Sequence, residues 1–199
     1  LLLPLGLSNI AFGKPQVDVG GSGIAPGRPS ALSPISTNTM TEIQRLHINE
    51  TDRLKEIRLL SLKDAPDAFG STYQEVAAFP EDRWRSQLQT LPTFVAVLNG
   101  VDSGIVRSAP HTEQTHTASL ISMWVAPHAR GQGIGAALID AVIEWGKAEG
   151  YQRLILDVGD SNDFAIALYS RKGFKPTGVT GHLPPPREHM LEHEMALDL

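Results

Sequence analysis

The chain has 199 residues, is about 41% apolar and 20% charged, and carries a formal net charge of -5 with a pI near 5.8. Length and composition fit one domain of ordinary soluble type with a real core, and the acidic balance argues against nucleic-acid or membrane-surface partners, which require excess Lys and Arg. The absence of cysteine excludes disulfides, thiolate metal sites and a cysteine nucleophile, so the cytoplasm is the default expectation.

Residues 1–39 are rich in Gly and Pro, nearly uncharged and without sustained periodicity, which reads as an irregular tail. The opening leucines resemble part of a signal core, but no basic segment precedes them and no clear cleavage site follows. Met40 stands where this composition ends, as a natural start would if residues 1–39 were upstream sequence. From residue 40 to residue 199 strand and helix signals alternate, the pattern of an α/β or α+β domain.

Residues 43–48 alternate apolar and polar and predict a strand. Thr51 and Asp52 can cap a helix in which Leu54, Ile57, Leu60 and Leu62 recur. A looser helical stretch runs over residues 72–89, broken at Pro80. Residues 93–98, the dipeptide Asn99-Gly100 and residues 101–108 predict a hairpin with a type I′ turn. The next strand is expected over residues 117–125.

Beyond a glycine segment, Ile134, Leu138, Ala141, Val142 and Trp145 put one apolar stripe on a long helix ending at Gly150. Leu154, Ile155, Leu156 and Val158 predict a central strand. A helix follows over about 163–171, ended by Gly173. Residues 174–178 and 188–197 supply two last strands, joined through Pro184-Pro185-Pro186.

The glycine segment is the chemically informative part. Arg130-Gly131-Gln132-Gly133-Ile134-Gly135-Ala136 follows a strand and opens a helix, so its backbone N–H groups and the helix dipole form an anion cradle. Glycines let main chain approach phosphate oxygens closely. Gly131-x-Gly133-x-x-Ala136 also matches a dinucleotide fingerprint, with Asp157 near the position of a ribose-binding acid. Against that reading, residues 127–130 separate Val125 from Gly131, and the unit does not open a repeated βαβ pattern. A P-loop fails because no Gly-Lys-Ser/Thr closes the segment.

Val125-x-Pro127-x-x-Arg130-Gly131-x-Gly133-Ile134-Gly135 resembles the acetyl-CoA motif of the GNAT superfamily of N-acetyltransferases. A second block, Asn162, Ala165, Ala167-Leu168-Tyr169 and Lys172-Gly173-Phe174, resembles the helix that follows in that family. The resemblance implies a mixed, mostly antiparallel central sheet flanked by helices, with acetyl-CoA as cosubstrate and no metal. It places the pyrophosphate on the amides of Arg130, Gly131, Gln132, Gly133, Ile134, Gly135 and Ala136, and the pantetheine arm beside the main chain of Met123 to Val125. By the same resemblance Asn162 bonds the cofactor arm, or else caps its helix, and Tyr169 is the general acid that protonates the departing thiolate.

The implied reaction is acetylation of a primary amine, of a small molecule or peptide, by direct attack in a ternary complex. A nicotinamide-dinucleotide oxidoreductase and a non-catalytic acyl-CoA sensor remain as alternatives, and a homodimer is compatible. Many relatives use a strand glutamate as base, but residues 117–123 contain no carboxylate. Water, Asp157, Glu75 or a histidine is left to take the proton. Phe69, Tyr73 and Trp84 fall where relatives form a wall of the acceptor site, although packing alone would account for them. His111 and His116 belong to a polar loop, and His189 and His193 share a predicted strand face without a third metal ligand.

Overall fold

The computed structural model describes residues 41–199; the tail and the reading of Met40 as a start lie outside that range. The first strand, β1, is Thr41–Arg45, shorter than the alternation suggested. The difference has a local cause. The Glu50 carboxylate accepts the His47 backbone N–H at 2.8 Å and draws the chain into a turn before helix α1, Thr51–Asp64. Thr51 is therefore the first helical residue and not its cap. The buried stripe of α1 is Leu54, Ile57, Arg58, Ser61 and Leu62, whereas Leu60 is turned outward.

The predicted break at Pro80 divides α2, Tyr73–Ala77, from α3, Glu81–Thr90. Thr72 and Glu75 form a reciprocal capping box at the start of α2. Strands β2, Thr93–Leu98, and β3, Val101–Pro110, form the expected hairpin, with Asn99 and Gly100 at φ +52° and +82°. Strand β4, Thr117–Val125, is buried along its whole length.

Helix α4, Ile134–Ala148, lies close on the sheet because Gly104 of β3 has no side chain. A Cβ there would meet Leu138 Cδ1 at 3.0 Å and the Trp124 carbonyl oxygen at 3.2 Å. Strand β5, Arg153–Gly159, leads to α5, Asp163–Arg171, and then to β6, Lys175–His182, and β7, Leu191–Asp198. Because β7 begins at Leu191, His189 lies in the preceding turn; the two histidines do not share a strand.

The seven strands form one sheet in the order β1-β2-β3-β4-β5-β7-β6, antiparallel except for β4 and β5. Alternation divides the core between two faces. On one face Leu154, Leu156 and Val158 join the core with Ile134, Leu138 and Val142 of α4. The opposite face carries α1 and α3, shown by the bonds from Trp124 to Asp64 and from Arg107 to Gln87. Among the described residues no helix is long and apolar enough to cross a membrane.

Candidate active site

Strands β4 and β5 pair only at Thr117↔Arg153, Ala118↔Leu154 and Ser119↔Ile155. Beyond Ser119 they part, and among the described residues the remaining length of β4 has no ladder partner on its β5 side. Unpaired main-chain groups inside a fold demand other partners. A bulge sharpens the parting: Ile105 pairs with Trp124 and Arg107 with Ile121, so Ser122 and Met123 together oppose Val106. Ser122 has φ +55°, a left-handed conformation that costs a non-glycine residue about 1–2 kcal/mol. Such strain at a strand parting marks a place where main-chain direction matters. Met123 and Val125, expected to flank the cofactor arm, are buried on this segment.

The glycine turn closes the open end. A short 3-10 turn, Pro127–Ala129, separates β4 from it, and Gly131 and Gly133 have φ +75° and +80°. A Cβ at either would meet nothing within 4 Å, so both glycines face open space. Gly133 is the N-cap of α4 and makes no side-chain cap bond, and the first turn of α4 carries no acid. Its orphan N–H groups and dipole therefore favour an anion.

The polar side chains of the turn hold its shape. Arg130 donates from Nε to the Val125 carbonyl at 3.0 Å and from Nη2 to Asp64 Oδ2 at 2.5 Å. Gln132 donates to the His128 carbonyl at 3.0 Å, and the His128 ring meets Ser103 Oγ at 3.1 Å. Ile134 and Gly135 are buried under the turn, with Ala136 half-buried. Asn162 Oδ1 accepts the Ala165 N–H at 3.2 Å and so caps α5.

Tyr169 of α5 is fully buried, edge-on to Phe174 with ring centroids 5.7 Å apart. Among the described residues its hydroxyl has no hydrogen-bond partner, and burial pushes its pKa well up. A buried hydroxyl normally finds a partner. This one holds its proton firmly and has a donor to spare.

The sheet face beneath α1 and α3 carries charge. Asp157 of β5 stands directly opposite Glu194 of β7. Burial, and then the charge of Glu194, raise the Asp157 carboxyl above the ordinary carboxylate range, with a smaller opposing effect from His111. Glu75 differs: its bonds to Thr72 in the capping box hold its pKa down. Arg187, from the turn before β7, donates to the carbonyls of Pro66 and Gly70 and latches that turn to the segment between α1 and α2. Phe69 and Trp84 are fully buried core residues, while Tyr73 is partly exposed and lines a hollow with Thr72, Pro186 and Arg187.

Two residues on this face were missed in sequence: Arg58 and Arg107, both buried. The signal was available, since Arg58 sits in the apolar stripe of α1 and Arg107 alternates with Ile105 and Ala109 on β3.

Together these features fit a ligand with a pyrophosphate, an amide-bearing arm and a leaving group that needs a proton. The glycine turn offers main-chain donors, the parted strands offer unpaired edges, and Tyr169 offers an orphaned hydroxyl.

The pattern of the Acetyltransferase (GNAT) family matches residues 55–174. Among curated proteins, an uncharacterized N-acetyltransferase of Methanocaldococcus jannaschii is 37% identical over 90 residues, 43% of this chain and 40% of that protein. Human N-acetyltransferase 8 is 36% identical over 78 residues, 38% of this chain and 34% of that protein. The human N-acetylaspartate synthetase is 34% identical over 93 residues, 47% of this chain and 30% of that protein. The chain thus spans less than half the length of these relatives. Among solved structures, a GNAT-family acetyltransferase from Streptococcus pneumoniae superposes with TM-score 0.66 at 21% identity, covering 80% of this chain and 100% of that one. An N-acetyltransferase from Staphylococcus aureus Mu50 does so with TM-score 0.62 at 24% identity, covering 80% and 98%. At such identities the structural likeness is one of fold.

Proposed function

The chain belongs to the GNAT acetyltransferase family, and from that premise we propose that it moves the acetyl group of acetyl-CoA onto a primary amine by direct attack in a ternary complex. The observation that carries the reading is the parting of β4 and β5 after three residue pairs, next to a glycine turn that opens a helix. When bound, acetyl-CoA supplies a thioester, an acyl donor already activated toward amines.

The chain's own groups then have distinct tasks. Amides of the Gly131 to Ala136 turn hold the pyrophosphate, and the unpaired edge of β4 takes the pantetheine amides. The bulge at Ser122 and Met123 turns main-chain N–H groups out of the ladder, where they can polarise the acetyl carbonyl. Asp157 accepts the proton that the amine loses as the C–N bond forms; burial and the Glu194 charge raise its carboxyl above the ordinary carboxylate range, which makes it a stronger base than an exposed one. Tyr169 gives its proton to sulfur as the C–S bond breaks.

The test combines binding and turnover. Acetyl-CoA should raise the melting temperature and NAD should not; stabilisation by NAD alone would sink the reading. Thiol release from acetyl-CoA should then appear with some members of a panel of polyamines, amino acids, aminoglycosides and peptide N-termini. Stabilisation without release from any amine would leave an acyl-CoA sensor.

A further inference from the structure

The charged face beneath α1 and α3 contains a pair of cations that its packing does not explain. Arg58 and Arg107 are each about 5% exposed, and among the described residues neither has an acidic partner. Arg58 stacks on the Phe69 ring at 4.4 Å and donates to Ser61 Oγ at 3.3 Å. Arg107 donates from Nη2 to Gln87 Oε1 at 3.0 Å, while its buried Nε has no partner among the described residues. Burial lowers both, Arg107 to about 10 and Arg58, with the Arg107 charge adding to the effect, to about 9. Two neighbouring buried cations without a counter-charge are costly, and apolar residues of similar volume would pack there more favourably. An expensive arrangement of this kind calls for an anion.

Sheet register says where that anion would sit. Arg107 pairs with Ile121 across β3 and β4, so the two share a face. Ile121 and Asp157 lie two residues beyond Ser119 and Ile155, the last pair before the strands part, and so both fall on that same face. Asp157 shares it with Glu194, and Glu192, buried, follows two residues before. One level of the sheet therefore runs from Arg107 through Ile121 and across the parting to Asp157 and Glu194. Cations stand on one side of the parting and carboxylates on the other. Arg107 and Asp157 are two strand steps apart, roughly 10 Å or somewhat more where the strands part. Both side chains stand off that same face of the sheet.

The geometry points to an acceptor amine that itself carries a carboxylate, as an α-amino acid does: Arg58 and Arg107 seat the carboxylate and the Asp157 side receives the amine. Paired guanidiniums suit the two oxygens of a carboxylate. This assignment rests on the acetyl-transfer reading and narrows its acceptor.

The experiment measures kcat/KM for thiol release with the L-amino acids and, in parallel, with their α-carboxamides, which keep the amine and lose the charge. For the best substrate the acid should exceed its amide by at least ~100-fold, since a site built around a substrate group rejects the analogue that lacks it. Arg107→Met should fold at least as stably, because it removes a buried unpaired charge, and should collapse the ratio toward one. Arg107→Lys, which keeps the charge but not the fork, should lower the ratio in part, and Arg85→Met on the exposed side of α3 should leave it intact. Amides that match acids in the wild-type protein, or a ratio that survives Arg107→Met, would overturn the proposal while leaving acetyl transfer standing. Release confined to amines without a carboxylate would overturn it too. No release with any amine would remove the acetyl-transfer reading as well.

Discussion

Arg130 and Asp64, 66 positions apart in sequence, meet at 2.5 Å, and the same Asp64 oxygen also accepts the Trp124 indole N–H at 2.9 Å. The last residue of α1 thereby ties down both the end of β4 and the entry to the glycine turn. A ligand held by main-chain amides depends on that turn keeping its shape, because a flexible cradle must be ordered at the moment of binding. Asp64→Ala should therefore weaken acetyl-CoA binding several-fold while costing only ~1 kcal/mol of stability, the worth of a partly exposed pair. Calorimetric titration with acetyl-CoA beside a thermal melt checks both; unchanged affinity would show that the turn is rigid without this tie.

Gly133 lends itself to a paired substitution. At φ +80° an alanine would cost about 1–2 kcal/mol. Asparagine tolerates that conformation better, so Gly133→Asn should melt above Gly133→Ala. Both place a Cβ in the open space that a phosphate would occupy, so both should bind acetyl-CoA at least ~10-fold more weakly than the native chain. If asparagine restored affinity along with stability, the glycine would matter only for its backbone.

What could be read in the sequence was local, and what could not was register. Asn99-Gly100 fixes its own turn, Pro80 its own break, and Gly131 and Gly133 their own dihedral angles, so the hairpin turn, the helix break and the link from strand to helix each stood where expected. The parting of β4 from β5 depends on how two strands align with 27 or more residues between them, and nothing in residues 117–125 or 153–159 announces after which pair they separate. Likewise Asp157 and Glu194 become neighbours only through antiparallel pairing of β5 with β7. Arg58 and Arg107 are the intermediate case. Each stands at a position where its own helix or strand period calls for an apolar residue, yet only the folded chain places the two together.

Tyr169→Phe should separate catalysis from stability. General-acid assistance is worth roughly 10²–10⁴-fold, so kcat should fall within that range while acetyl-CoA affinity holds. A buried hydroxyl without a partner costs the fold ~1–3 kcal/mol, so its removal should also raise the melting temperature by a few degrees. A hydroxyl with a structural task would give the opposite sign, and loss of stability with full activity would remove the acid role.

With Asp157 as the proposed base, the acidic limb of the pH profile should report its titration. Its folded pKa lies above the usual 3.8 because burial, and then Glu194, disfavour the charged form. A carboxyl raised in this way binds its proton more tightly folded than unfolded. It therefore favours the fold at low pH, and that contribution is lost as pH rises from the unfolded value through the folded one. Activity runs the other way, since only the deprotonated form can accept the amine proton. The kcat/KM profile should thus climb through a pKa above the ordinary carboxylate range, to a plateau where Asp157 is ionised. Glu194→Gln removes the second cause and should move that limb to lower pH. Asp157→Asn should abolish the limb, lower kcat/KM by about 10²-fold or more at neutral pH, and flatten the stability change across the same interval. A limb that persisted in Asp157→Asn would assign the proton to another group, and a limb that failed to shift in Glu194→Gln would leave burial as its whole cause.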